Sequence, residues 1–162
     1  MKQITLLITG MFLMLISGNA NAFSQELDKQ ACAVEYNLYK GDVTAKNFTE
    51  AKVRLLNLME NCPTLSKNIY ILGYKIAEDM IAQGEKEEGI RLMSKIVDNR
   101  ILHFPQGDGK VYNAFASFLD KNGLSREEIF QILDKAYKEN PAGLTPKNIF
   151  MYFEVVLERN KE

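Results

Sequence analysis

Tryptophan is absent from this 162-residue chain, histidine occurs once, cysteine twice and proline four times. A lone histidine rules out a metal centre built on a histidine pair, and no Gly-x-Ser-x-Gly elbow is present for it to serve as a base. An excess of charge is also missing. Lys+Arg is 20 and Asp+Glu is 21, so the formal charge is −1. Nothing basic is left over to neutralise a phosphate backbone, and nucleic-acid binding is not expected. The hydrophobic share of 46% and charged share of 25% exclude an intrinsically disordered chain, a collagen and a coiled-coil rod.

What is present begins with an export signal. Lys2 supplies a positive start, Ile4 to Ile16 form an apolar run of 13 residues, and Ala20-Asn21-Ala22 gives the small-x-small pattern of a signal-peptidase site. The run is shorter than the roughly 20 residues a bilayer needs. The expectation is a cleaved signal at 1–22 and one domain at 23–162, exported to the periplasm or beyond; an uncleaved anchor is the alternative. No second hydrophobic run in the mature chain is long enough to span a membrane.

Periodicity after residue 23 is helical and shows no strand-like alternation. Ile69, Leu72, Ile76, Ala77 and Met80 follow three- and four-residue steps, as do Ile90, Met93, Ile96, Val97 and Ile101. The pattern predicts helices over about 27–45, 49–61, 65–83, 86–102, 110–121, 126–138 and 146–160. Ser125-Arg126-Glu127-Glu128 reads as a capping box, and Thr145 before Pro146 as a cap preceding a first-turn proline. Pro63, Pro105 and Pro141 each stand just after an apolar helix, where proline stops it.

These helices come in pairs. Three polar turns, beginning at Lys46, Gln83 and Asn122, each precede an acidic first helical turn and then Ala51, Gly89 or Ile129, at spacings of 38 and 40 residues. Such a period belongs to helix-turn-helix repeats, whose hairpins stack because one pair cannot bury its own apolar face. The segments KNFTEAKVRLLNLMENCP and NGLSREEIFQILDKAYKENP resemble the second half of a tetratricopeptide repeat (TPR). Ala51 and Pro63 occupy the matching places in the first unit, and Ala136 and Pro141 in the third; Tyr39 and Gly73 lie near first-helix signature places. The chain departs from that family in its lack of tryptophan, in a period longer than about 34, and in a displaced Pro105. Around NLYK, ENCPTLSKNIY and ILDKAYKENPAGLTPKNIFMYF it is similar to small exported TPR-type proteins of Gram-negative envelopes. The resemblance implies an all-α, right-handed array of antiparallel helix hairpins, about three units plus a final helix. A non-repetitive helical bundle is the alternative.

Two cysteines in an exported chain invite a disulfide. If Lys46-Asn47 is the turn between antiparallel helices, Cys32 and Cys62 lie equally far from it along the two arms. The bland reading is two buried free thiols. Two cysteines and a distant histidine do not make a zinc site.

No residue set with catalytic spacing appears. His103 falls near a helix C-terminus, where a partial positive charge is favoured. Gln106-Gly107-Asp108-Gly109-Lys110-Val111 lacks the first glycine and the final Ser or Thr of a phosphate loop. Glu87-Glu88 and Glu127-Glu128 open helices and complement the dipole. Neither a cofactor nor a metal is therefore expected.

Partner binding is the remaining expectation. Carried over unit by unit, the TPR resemblance puts Tyr36 and Lys40, Tyr74 and Glu78, and Ala114 and Phe118 on a concave groove suited to an extended peptide or a helix. The same rings would otherwise fill gaps between helices. In the last helix Lys147, Met151, Glu154 and Glu158 form a narrow stripe, with apolar residues around most of the circumference. That helix either wedges into the array or offers Phe150, Phe153, Val156 and Leu157 as a docking face, for instance in self-association. The expected role is a non-catalytic adaptor, assembly factor or accessory subunit acting on a protein or peptide. A small exported helical enzyme or ligand carrier, and an orphan fragment of a larger array that self-associates, are the alternatives.

Overall fold

A computed structural model describes residues 17–106 and 108–161, with side-chain burial described from residue 29. Within them the protein is all-α. Seven α-helices follow in order: α1 (Ser17–Ala45), α2 (Phe48–Asn61), α3 (Asn68–Ala82), α4 (Lys86–His103), α5 (Asp108–Lys121), α6 (Arg126–Glu139) and α7 (Pro146–Arg159). A short 3₁₀ turn, Pro141–Gly143, separates the last two, and there is no strand among the described residues. No described helix is long and apolar enough to cross a membrane. Helix α1 starts ten residues before the periodicity suggested, so Ala20-Asn21-Ala22 lies inside it. The apolar run Ile4–Ile16 lies outside the described residues.

Three of the connections share one construction. Residues Lys46, Gly84 and Gly123 have φ values of 58°, 95° and 72°, the left-handed region that reverses a helix end. In each turn the next N–H reaches back five residues: Asn47 to the Asp42 carbonyl at 2.9 Å, Glu85 to Met80 at 2.9 Å and Leu124 to Leu119 at 3.2 Å. This six-to-one bond is the Schellman closure, and it satisfies carbonyls that the ending helix would otherwise orphan. The chain thus makes the same turn three times, between α1 and α2, α3 and α4, and α5 and α6.

The caps at the C-terminal end follow from composition. Ser125 accepts from the Glu128 N–H while the Glu128 carboxylate accepts from the Ser125 N–H, which completes the capping box. Thr145 accepts from the Asn148 N–H ahead of Pro146. Helices that follow each other in the chain pack on each other throughout, and α1 also packs on α3 and α5 on α7. The apolar faces form one continuous core from Tyr39 and Val43 on α1 to Tyr152 and Val155 on α7.

Polar anchors sit along that core. The buried Tyr39 hydroxyl donates to the Ile69 carbonyl at 2.9 Å, tying α1 to α3. Arg54 on α2 holds two acids of α1, Asp42 at 2.7 Å and Glu35 at 3.0 Å. Cys32 and Cys62 are joined as a disulfide, with Cα atoms 5.8 Å apart, across the open end of the first hairpin. Tyr70 donates to the Pro63 carbonyl at 2.8 Å and stands edge-on to Phe104, and burial pushes its hydroxyl up to about 12. At the far end the buried Asn148 amide donates to the Asn113 side chain at 2.7 Å and to its backbone carbonyl at 3.0 Å. That pair fixes the first turn of α7 against the middle of α5.

Candidate functional site

Helices α3 and α5 approach each other without packing closely, and the space between them is a cleft floored by α4. Its upper part is about 160 Å³ and is lined by Tyr74 and Glu78 of α3, Met93 and Val97 of α4, and Ala114, Phe115 and Phe118 of α5. A lower hollow of about 290 Å³ continues along the same two helices between Glu78, Ile81, Ala82, Phe118, Lys121 and Asn122. Glu78 and Phe118 belong to both parts, so the two form one trough.

The walls are built from ordinary helical positions. Phe115, Phe118, Met93 and Val97 are buried core residues whose outer edges make the floor. The Phe115 and Phe118 rings stack with centroids 6.4 Å apart. Tyr74 is half-buried and held from behind by Arg100, which donates to its hydroxyl at 2.8 Å and lies 5.8 Å from the ring centroid. A ring fixed in this way presents a preformed wall and loses little freedom on contact. Glu78 is exposed at the rim, and among the described residues neither it nor Lys121 has an ion-pair partner.

Of the six residues expected on the groove, the structure brings Tyr74, Glu78, Ala114 and Phe118 together in this cleft. Tyr36 and Lys40 do not line it; they form their own pair on α1, with the Lys40 ammonium 5.4 Å from the Tyr36 ring centroid. Phe118 is more floor than wall, since it is buried. Sequence reasoning missed Met93, Val97, Phe115 and Lys121. The first three repeat at core spacing, and periodicity gives no sign of which core residues have an open edge.

The last helix divides into two faces. Asn148, Met151, Tyr152 and Val155 point inward, so Met151 leaves the polar stripe it was read with. Tyr152 stacks between Phe130 at 5.3 Å and Tyr137 at 4.9 Å and donates to Asp134 at 3.1 Å. Phe150, Phe153 and Leu157 remain 66%, 41% and 60% exposed, whereas Val156 is partly buried against the core. Ion pairs of Arg126 with Glu154, Arg159 with Glu127 and Lys147 with Asp120 hold this helix to α6 and α5.

Two other features carry less. The depression around Gly84–Glu88 and Arg91, about 580 Å³, is wide, polar and without an apolar floor. His103 is half-buried in the last turn of α4, and among the described residues no group of three or more potential metal ligands gathers. The chain matches no family model, no curated protein and no solved structure.

Proposed function

We propose that this protein is an exported, TPR-like hairpin array that binds another protein or peptide and performs no chemistry of its own: an adaptor, assembly factor or accessory subunit of the cell envelope. The observation that supports the reading most is the α3–α5 cleft. Four residues chosen for their place in a repeat meet there beside an apolar floor, with Tyr74 held rigid by Arg100. The three matching Schellman turns support the repeat architecture. Export rests on Lys2, Ile4–Ile16 and Ala20–Ala22. It is in keeping with a disulfide, which persists in oxidising compartments.

The test is site-specific capture in the native envelope. A photo-crosslinking side chain at Tyr74 faces the cleft, and a matched one at the exposed Lys95 does not. A discrete protein adduct from Tyr74 alone supports the proposal and names the partner. Adducts from neither position, or equally from both, refute a dedicated cleft. A second reading, self-association through the last helix, is favoured by the exposed Phe150, Phe153 and Leu157. It predicts a concentration-dependent mass that Phe153→Asp reduces to that of a monomer.

A further inference from the structure

We infer that the α3–α5 cleft selects a partner segment carrying a bulky apolar side chain next to a basic one. The inference rests on the proposed function and adds the chemistry of what is bound. The upper cleft offers one apolar hollow of about 160 Å³, floored by Met93, Val97, Phe115 and Phe118. Burying an aliphatic or aromatic side chain there is the main source of affinity, because the rest of the trough is shallow and partly polar. Position and charge then specify the neighbour. Glu78 belongs to the lining of this hollow and of the one below it, stands exposed, and has no cation of its own among the described residues. A carboxylate at the edge of apolar surface attracts a cation and repels an acid, and it sorts partners more than it binds them. Lys121 also lines the lower hollow and repels a cation there, so the upper hollow beside Glu78 is the favoured place for one. Arg100 is turned to the Tyr74 ring and hydroxyl.

The probes are three short peptides of one glycine–serine frame that carry leucine–arginine, leucine–glutamate or alanine–arginine at the centre. Each is titrated to millimolar concentration against isotope-labelled full-length mature protein and followed by NMR. The leucine–arginine peptide is expected to shift the Ala114, Phe118 and Met93 signals. It should bind about two- to fivefold tighter than leucine–glutamate, the range of a partly exposed ion pair. The alanine–arginine peptide should leave those signals in place, and Glu78→Lys should reverse the order of the two leucine peptides. Glu78 is exposed, so this variant folds; Glu78→Gln, which should equalise the two, is the milder control. Equal binding of both leucine peptides to the unaltered protein, or an order unmoved by Glu78→Lys, overturns the inference and leaves the cleft as a binding site. Silence of the cleft signals with all three peptides overturns the cleft itself.

Discussion

Reducing the Cys32–Cys62 bridge should cost this protein about 3.6 kcal/mol of stability, and the number can be worked from the chain. The two cysteines are 30 residues apart. The chain-entropy relation gives roughly 12 cal/mol/K for closing such a loop, hence about 3.6 kcal/mol at 25 °C. Nearly all of it acts on the unfolded state, because α1 has other attachments. Tyr39 and Val43 are buried, Tyr39 donates to Ile69, and Arg54 holds Glu35 and Asp42. Reduced protein should therefore keep its helical signal at low denaturant and unfold earlier. With a urea slope of about 1–3 kcal/mol/M, the midpoint falls by about 1–4 M. The assay is equilibrium urea unfolding of oxidised and reduced protein, with a Cys32→Ala/Cys62→Ala variant as the reagent-free comparison. A difference below about 1 kcal/mol refutes the loop-closure argument. Loss of helix on reduction before any urea is added refutes the claim that α1 stays docked. Quantitative thiol labelling of unreduced, unfolded protein refutes the bridge itself.

Four further outcomes follow from local geometry. Lys46 occupies at φ 58° the turn position that Gly84 and Gly123 fill elsewhere, so Lys46→Gly should raise stability by about 0.5–1 kcal/mol in urea unfolding. Gly84→Ala should lower it by about 1 kcal/mol on backbone grounds alone, since nothing lies within 4 Å of the added carbon. Gly89 is confined where those turns are open: a Cβ there would meet Ile81 at 2.6 Å and the Ala77 carbonyl at 2.8 Å. Gly89→Ala should therefore cost about 1–3 kcal/mol despite the better helix former, and a neutral result would contradict the α3–α4 packing. Loss of the N-cap in Ser125→Ala should cost about 0.5–2 kcal/mol. Hydrogen bonds from the Ser125 hydroxyl and N–H hold the Glu128 carboxyl below its usual value of 4.5. Its stabilisation is complete above that value and fades as pH falls through the lower folded one. Acid unfolding of Ser125→Ala should show less of this loss; an unchanged acid limb would remove the cap from the explanation.

Much of the fold was legible because its signals are local. Apolar steps of three and four residues located the helices after residue 46 to within a few positions, and Ser125, Thr145 and Pro146 marked their starts. Gly84 and Gly123 announced two of the turns, while Lys46 made the third without the glycine that usually betrays it. The start of α1 at Ser17 was not legible, since Ser17–Ala22 carries no apolar period and reads as processing signal. For the site, the TPR resemblance put Tyr74, Glu78, Ala114 and Phe118 on one groove, and all four line the same cleft. It offered no sign that Tyr36 and Lys40 would stand apart from them.

That separation has a physical origin in one side chain. Between α1 and α3 the seam is closed by Tyr39, a fully buried ring whose hydroxyl reaches the Ile69 carbonyl. At the 38-residue spacing of the turns the corresponding residue on α3 is Ala77, itself buried beneath the start of α4. An alanine has neither the area nor the hydroxyl to bridge to α5. Helix α5 is therefore held mainly from α4 and α6, and the edges of Phe115 and Phe118 stay uncovered on the α3 side. The seam is thus closed between α1 and α3 and open between α3 and α5, and it closes again where α5 packs on α7. Under the proposed function, a partner's apolar side chain supplies between α3 and α5 the contact that Tyr39 supplies between α1 and α3. Ala114→Tyr, at an exposed position of the cleft lining, is then the intramolecular competitor: it should abolish capture at Tyr74 while leaving the helical content unchanged. Undiminished capture in a folded Ala114→Tyr protein would show that the partner does not enter there.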